Sequence, residues 1–145
     1  MKRILILLIV MVSFVQVFSR CRRKFEFIHC SVAIHIPQNC NIIETPYEEG
    51  KFVDVINKCD GSVIIIFSGG LQNKPIVNRK GVTEYREKET TKYLIEFGRK
   101  DSLYFKEILH KESGVRICYD NVLIKNVKKY NRYLRLARIQ IKEKK

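Results

Sequence analysis

A chain of 145 residues is long enough for one domain with a core of its own and too short for two of ordinary size. An apolar fraction of 46% excludes a disordered polyelectrolyte, and five cysteines without a C-x-x-C pair exclude the usual zinc spacings. The net charge of +13 sits at the ends: residues 1–24 hold six bases and no acid, residues 125–145 nine bases against Glu143, and the stretch between thirteen bases against fourteen acids. That distribution gives no basic surface running through the middle of the chain, so a nucleic-acid partner is not expected.

In chain order, Met1-Lys2-Arg3 leads into Ile4–Phe18, interrupted only by Ser13 and Gln16. As a helix this run spans about 22 Å, short of a hydrocarbon core of about 30 Å and in keeping with the apolar region of a signal peptide. Residues 1–24 are therefore expected to be a signal peptide or single-pass membrane anchor with a basic flank, placing the protein in the cell envelope. Residues 25–138 follow as an α/β domain and 139–145 as a basic tail. Cys59 and Cys118 fall on apolar faces and read as small core residues. In an exported chain Cys30 and Cys40 could pair across the loop between them.

Ser31–Ile36 reads as a first strand ended by Pro37. Thr45-Pro46-Tyr47-Glu48 has the form of a capping box, with an N-cap threonine and a proline at the first helical position. The helix expected from it carries Phe52, Val55, Ile56 and Cys59 at i, i+3, i+4 and i+7 and ends at Asp60-Gly61. Ser62–Phe67 is continuously apolar, as in a strand covered on both faces. A polar loop of about a dozen residues follows, then a second expected helix over 84–97 stopped by Gly98. A third strand over 103–109 and a final helix over 120–137 complete the pattern. Alternation of this kind predicts a small three-layer, Rossmann-like parallel sheet of order β-α-β-α-β-α. Three strands are few for such a fold, so the domain is expected to be incomplete or to finish its sheet with another chain.

Ligands of open parallel sheets lie beyond the carboxyl ends of the strands. Ser68-Gly69-Gly70 ends the apolar strand there, and consecutive glycines let backbone N–H groups approach an anion. It matches neither the Walker nor the G-x-G-x-x-G spacing. Glu112-Ser113 and Cys118-Tyr119-Asp120-Asn121 are expected at the same edge, where Asp120 or Asn121 also suits a helix cap. His29, His35 and His110 have no motif linking them to a serine or cysteine. No catalytic residue, metal ligand or cofactor is assigned.

The order of an apolar N-terminal segment, Ile64-Ile65-Ile66-Phe67-Ser68-Gly69-Gly70, Thr83-Glu84, Lys92-Tyr93-Leu94-Ile95-Glu96-Phe97-Gly98, Glu112-Ser113 and Asp120-Asn121 resembles the YdcF/SanA/ElyC-like family of bacterial envelope-associated α/β proteins. The resemblance covers about residues 28–130, and the second half of that family's domain has no counterpart. It implies an envelope role in which Ser68, Gly69, Gly70, Glu84, Glu112 and Asn121 bind a small anionic or nucleotide-like ligand. A second reading is a small basic membrane-associated protein that binds anionic lipid or nucleic acid through its ends. A third is a truncated remnant without function.

Overall fold

The computed structural model describes residues 21–70 and 74–142. Among them the chain forms ten strands and one helix: β1 (Cys21–Glu26), β2 (Cys30–Ile36), β3 (Cys40–Tyr47), β4 (Gly50–Asn57), β5 (Val63–Gly69), β6 (Glu84–Glu89), β7 (Tyr93–Lys100), β8 (Leu103–His110), β9 (Val115–Leu123), α1 (Ile124–Arg135) and β10 (Arg138–Ile141). The large sheet has the order β3-β4-β5-β9-β8-β7-β6 and the small one β1-β2-β10. Every pairing in both is antiparallel.

This overturns the expected Rossmann-like parallel sheet, and the residues explain why. Over Gly50–Asn57 alternation wins: Val53, Val55 and Asn57 are buried while Phe52, Asp54 and Ile56 are half-buried. Its β-branched residues favour a pleated surface, and the period of 2 accounts for them as well as 3.6 does. Thr45-Pro46-Tyr47 closes β3 instead of capping a helix, and Glu48-Glu49 turns the chain into β4. The expected helix over 84–97 is likewise a hairpin. Thr90 holds its turn, donating its N–H to Tyr93 O at 2.8 Å and accepting from Tyr93 N–H on Oγ1 at 3.0 Å. Gly98 does not stop a helix. It lies within β7 where the Phe105 ring of β8 comes within 2.5 Å of the place a Cβ would take.

The expected strands at 31–36, 62–67 and 103–109 are present as β2, β5 and β8, with antiparallel partners. The final helix is present too, but β9 runs through Leu123 before it begins. β1 starts at Cys21, so the basic cluster Arg22-Arg23-Lys24 is strand. No helix among the described residues is long and apolar enough to cross a membrane. The Ile4–Phe18 run, on which the signal or anchor expectation falls, lies outside the described residues.

The small sheet and α1 lie side by side on one face of the large sheet. Val32, Ile34 and Ile36 of β2 meet Val53, Val55, Ile64, Ile66 and Ile117 there, with Tyr119, Tyr130 and Leu134 at the helix. Each of these apolar side chains contributes about 1.5–3 kcal/mol by leaving water. Cys30, 1% exposed, points into this core with its Sγ 3.9 Å from Ser68 Oγ. Cys40 packs at the start of β3, and its thiol is pushed up by burial and then by neighbouring Cys21. Cys30 and Cys40 do not pair: the whole of β2 separates them, and all five cysteines are free.

The opposite face of the large sheet is crossed by the chain between β5 and β6, which packs Val77 onto Phe105 and Cys118. Glu107 of β8, fully buried, anchors this segment. Its carboxylate accepts from the N–H groups of Ile76 (3.0 Å) and Val77 (3.3 Å) and pairs with Arg79 (3.0 Å) and Arg116 (2.5 Å). Glu96 of β7 takes the same two arginines at 3.0 and 3.7 Å and accepts the Tyr85 hydroxyl at 2.7 Å. Arg79 also stacks over the Phe105 ring, 4.5 Å from its centroid.

Removing one member of such a buried set leaves uncompensated charge. Glu107→Gln is therefore expected to cost about 3–5 kcal/mol, read as a lowered urea midpoint. Glu44→Gln, which breaks the exposed pair with Lys51, is expected to leave the midpoint in place.

Candidate functional site

The six residues expected to share one ligand edge are divided between two. In a parallel sheet all carboxyl ends lie together, whereas antiparallel strands send them alternately to opposite edges. Ser68-Gly69-Gly70 and Glu112 lie where β5 ends and β9 begins. Glu84 and Asn121 lie at the other end, where β6 starts and β9 finishes.

Ser68 and Glu84 are also engaged locally. Ser68 is buried against Cys30. Glu84 pairs with Arg99 at 2.6 Å, and Glu112 is exposed in the β8–β9 turn. Asn121 takes a left-handed φ of 58° next to an irregularity in the β8–β9 ladder, a conformation that asparagine tolerates better than most residues.

The Ser-Gly-Gly ending serves packing. Tyr47 lies over the β4–β5 hairpin, stacked on Phe67 at 5.9 Å and tilted against Phe52 at 5.6 Å. A Cβ on Gly69 would fall 2.1 Å from the Tyr47 hydroxyl, and one on Gly70 2.0 Å from Glu49 Oε2. The glycines leave room for these side chains.

A different site opens on the core side of the large sheet. The small sheet and α1 cover its centre but leave the inner side of β7 and β8 open beside the helix. The result is a groove of about 1470 Å³, larger than the roughly 300–1,000 Å³ of a small-molecule pocket. Its floor is apolar, formed by Ile95, Ile108 and Ile117 of the large sheet with Leu134 of α1. Lys106 and His110 of β8 rise from the sheet, facing Lys128, Lys129, Arg132 and Arg135 of the helix. Tyr93 stands at the rim, edge-on to His110 with ring centroids 5.3 Å apart.

The helix is held at this distance by a polar cluster. Leu123 offers α1 no side-chain cap and its first turn contains no acid. Asp60, from the β4–β5 turn, accepts from Asn126 Nδ2 at 2.9 Å and so places negative charge at the helix start. The buried Tyr130 hydroxyl bonds Ser62 Oγ and accepts from Asn57 Nδ2 at 3.2 Å. Asp60, the carboxylate of the groove lining, is thus already engaged by Asn126 and Ser62.

Lys106 is the distinctive group. It is half-buried, and its Nζ donates to a neutral amide oxygen, Asn131 Oδ1, at 3.2 Å. It makes no ion pair among the described residues. Burial accordingly pulls its pKa below the usual lysine value. A cation held half out of water without a carboxylate is what an incoming anion would compensate. His110 Nδ1 lies 2.8 Å from Ser113 Oγ, a contact that the spacing of histidines in the sequence did not suggest. The Ser113 N–H also approaches Nδ1 at 3.3 Å, so the pair closes the β8–β9 turn. No group of three or more His, Cys, Asp or Glu side chains among the described residues is arranged to hold a metal ion.

Fold and groove together define an antiparallel β-sandwich with a cationic, apolar-floored groove beside its single described helix. No family model, curated protein or solved structure matches this chain.

Sequence reasoning missed the groove because its halves lie apart, in β7–β8 and α1, and meet through antiparallel pairing. The available signal was Lys106-Glu107, two adjacent charges inside the mainly apolar stretch Leu103–Leu109.

Gly69→Ala is expected to lower stability by about 1–3 kcal/mol through overpacking, measured by urea unfolding. Tyr47→Phe in the same chain should restore part of that loss, since it removes the atom that the new methyl meets. Strict additivity of the two substitutions would contradict the packing role.

Proposed function

We propose that the protein is a binding protein for a small amphipathic anion, seated in the groove between α1 and the β7–β8 half of the large sheet. The observation that carries this reading is Lys106, half-buried over an apolar floor and satisfied only by an amide. The apolar body of the ligand lies along Ile95, Ile108 and Ile117, and its anionic head meets Lys106, Arg132 and Arg135. A carboxylate, phosphate or sulfate head would replace lost hydration at Lys106 with a charge-assisted bond. An aromatic body, as in a nucleotide, has Tyr93 available at the rim. The small anionic ligand expected from the sequence is retained, while its seat moves from the Ser68-Gly69-Gly70 edge to the groove.

The chemistry is binding. His110 is engaged with Ser113 in the β8–β9 turn, and Asp60 is engaged by Asn126 and Ser62, so the groups left to meet a ligand are the bases of the groove. Envelope localisation remains part of the proposal through the apolar N-terminal run.

Calorimetric titration with octyl phosphate and with inorganic phosphate tests the reading. Octyl phosphate should bind more tightly, with a negative heat-capacity change as the chain covers the floor. Lys106→Met and Arg132→Glu should each weaken it by about tenfold or more, the worth of a hydrogen bond to a charged group. Ser68→Ala should leave it unchanged. Bound anion favours the ammonium form, so affinity should fall as pH rises through the lowered pKa of Lys106, and Lys106→Met should remove that fall. Equal affinity for the two phosphates, or full affinity in Lys106→Met, would rule the site out.

A further inference from the structure

A second cationic surface lies on the opposite side of the small sheet, away from the groove. Alternation turns Phe25 and Val32 into the core, which sends Arg22 and Lys24 of β1 and Arg138 of β10 outward. Lys24 and Arg138 both stand opposite Ala33, one on each side of β2. That places them about 10 Å apart, twice the spacing of adjacent strands. Ser31 and Ala33 between them are small, leaving a shallow depression of about 580 Å³ lined by these bases.

Glu26 is the acid of this face, paired with Lys24 at 2.8 Å and Lys142 at 3.0 Å. Arg22 and Arg138 make no ion pair among the described residues. The face is therefore open and positive, its exposed bases standing around the small residues Ser31 and Ala33.

We propose that this face docks on the surface of an anionic phospholipid membrane. Charge complementarity is the first argument: an open array of bases suits a plane of phosphate head groups, with about fivefold in affinity expected from each lysine or arginine. Position in the chain is the second. The apolar run ends at Phe18, and β1 begins at Cys21. Three residue steps reach at most about 11 Å, comparable with the roughly 8 Å over which charge is felt at physiological salt. An apolar run held at a lipid surface thus delivers β1 to the head groups with no linker. The face is independent of the groove, which opens between α1 and the large sheet.

The test uses the full chain and vesicles of phosphatidylcholine with and without phosphatidylglycerol, read by co-sedimentation. The chain should bind the phosphatidylglycerol vesicles more tightly, and added salt should abolish the difference. Arg22→Glu/Lys24→Glu/Arg138→Glu should weaken that preference by at least about a hundredfold, whereas Arg132→Glu/Arg135→Glu in the groove should change it by less than about twofold. Should the triple variant lose its folded circular-dichroism signature, Arg22→Gln/Arg138→Gln replaces it, with about a 25-fold loss expected. A preference that survives in the folded variant, or that follows the groove variant, overturns the proposal. So does equal binding to both kinds of vesicle, or loss of single-stranded RNA binding in the sheet variant without change on vesicles.

Discussion

Seven antiparallel strands make a sheet wider than the layer laid over it, and most of the molecule's surface character follows from that mismatch. At about 4.8 Å per neighbour the large sheet is about 29 Å across from first strand to last. The small sheet adds about 10 Å of cover and the helix, with its side chains, about as much again. Cover is therefore complete over β4, β5 and β9, where the core residues are fully buried, and absent at both margins. β6 is exposed along its whole length and β3 along all but its ends. The groove is the inner margin of this shortfall, where the helix stands next to strands that it does not reach across.

Edges left open in this way invite pairing with other chains. β6 answers with charge, carrying Glu84, Arg86, Glu87, Lys88 and Glu89 in six residues. β3 keeps Ile42 and Ile43 exposed and relies on Pro46 and Glu44. On the far face of the sheet the problem is solved differently, by drawing the long crossover across the strands and fixing it electrostatically. Two carboxylates and two arginines balance there, and the two backbone N–H groups donated to Glu107 satisfy what the ion pairs leave over. A buried set of this kind adds less net stability than apolar packing would, but it specifies one path for the crossover because any other leaves a charge bare.

The sequence made individual strands legible where β-branched runs were long, as in Val63–Phe67, and it made α1 legible through the stripe Val127, Tyr130 and Leu134. It misled where short segments satisfied two periods at once. Phe52, Val55, Ile56 and Cys59 fit a helical face, yet Val53 and Val55 alternate equally well with Asp54 and Ile56, and tertiary pairing with β5 decided between them. Gly98 looked like a helix stop because the Phe105 ring that needs its missing Cβ lies on another strand. The β6–β7 hairpin was hidden by charge, since an edge strand exposed on both faces has no apolar alternation to display. Once two hairpins were read as helices, a parallel sheet followed, and with it the expectation of a single ligand edge. The candidate groove was hidden for the same reason: neither β8 nor α1 is a site until antiparallel pairing sets them face to face.

The charge pattern along the chain also acquires meaning only in the fold. The middle of the chain is nearly neutral in sum, with thirteen bases against fourteen acids between residues 25 and 124. The large sheet separates those charges by face. Glu96 and Glu107 point away from the core side into the crossover network, where Arg79 and Arg116 neutralise them. Lys106, on the same strand as Glu107, points the opposite way by the alternation of the strand and joins the bases of α1. One residue of register thus decides whether a charge ends in a closed network or in an open groove. Because Arg79 and Arg116 already cancel Glu96 and Glu107 on their own side of the sheet, those acids offset little of the positive charge that Lys106 and the bases of α1 bring to the groove.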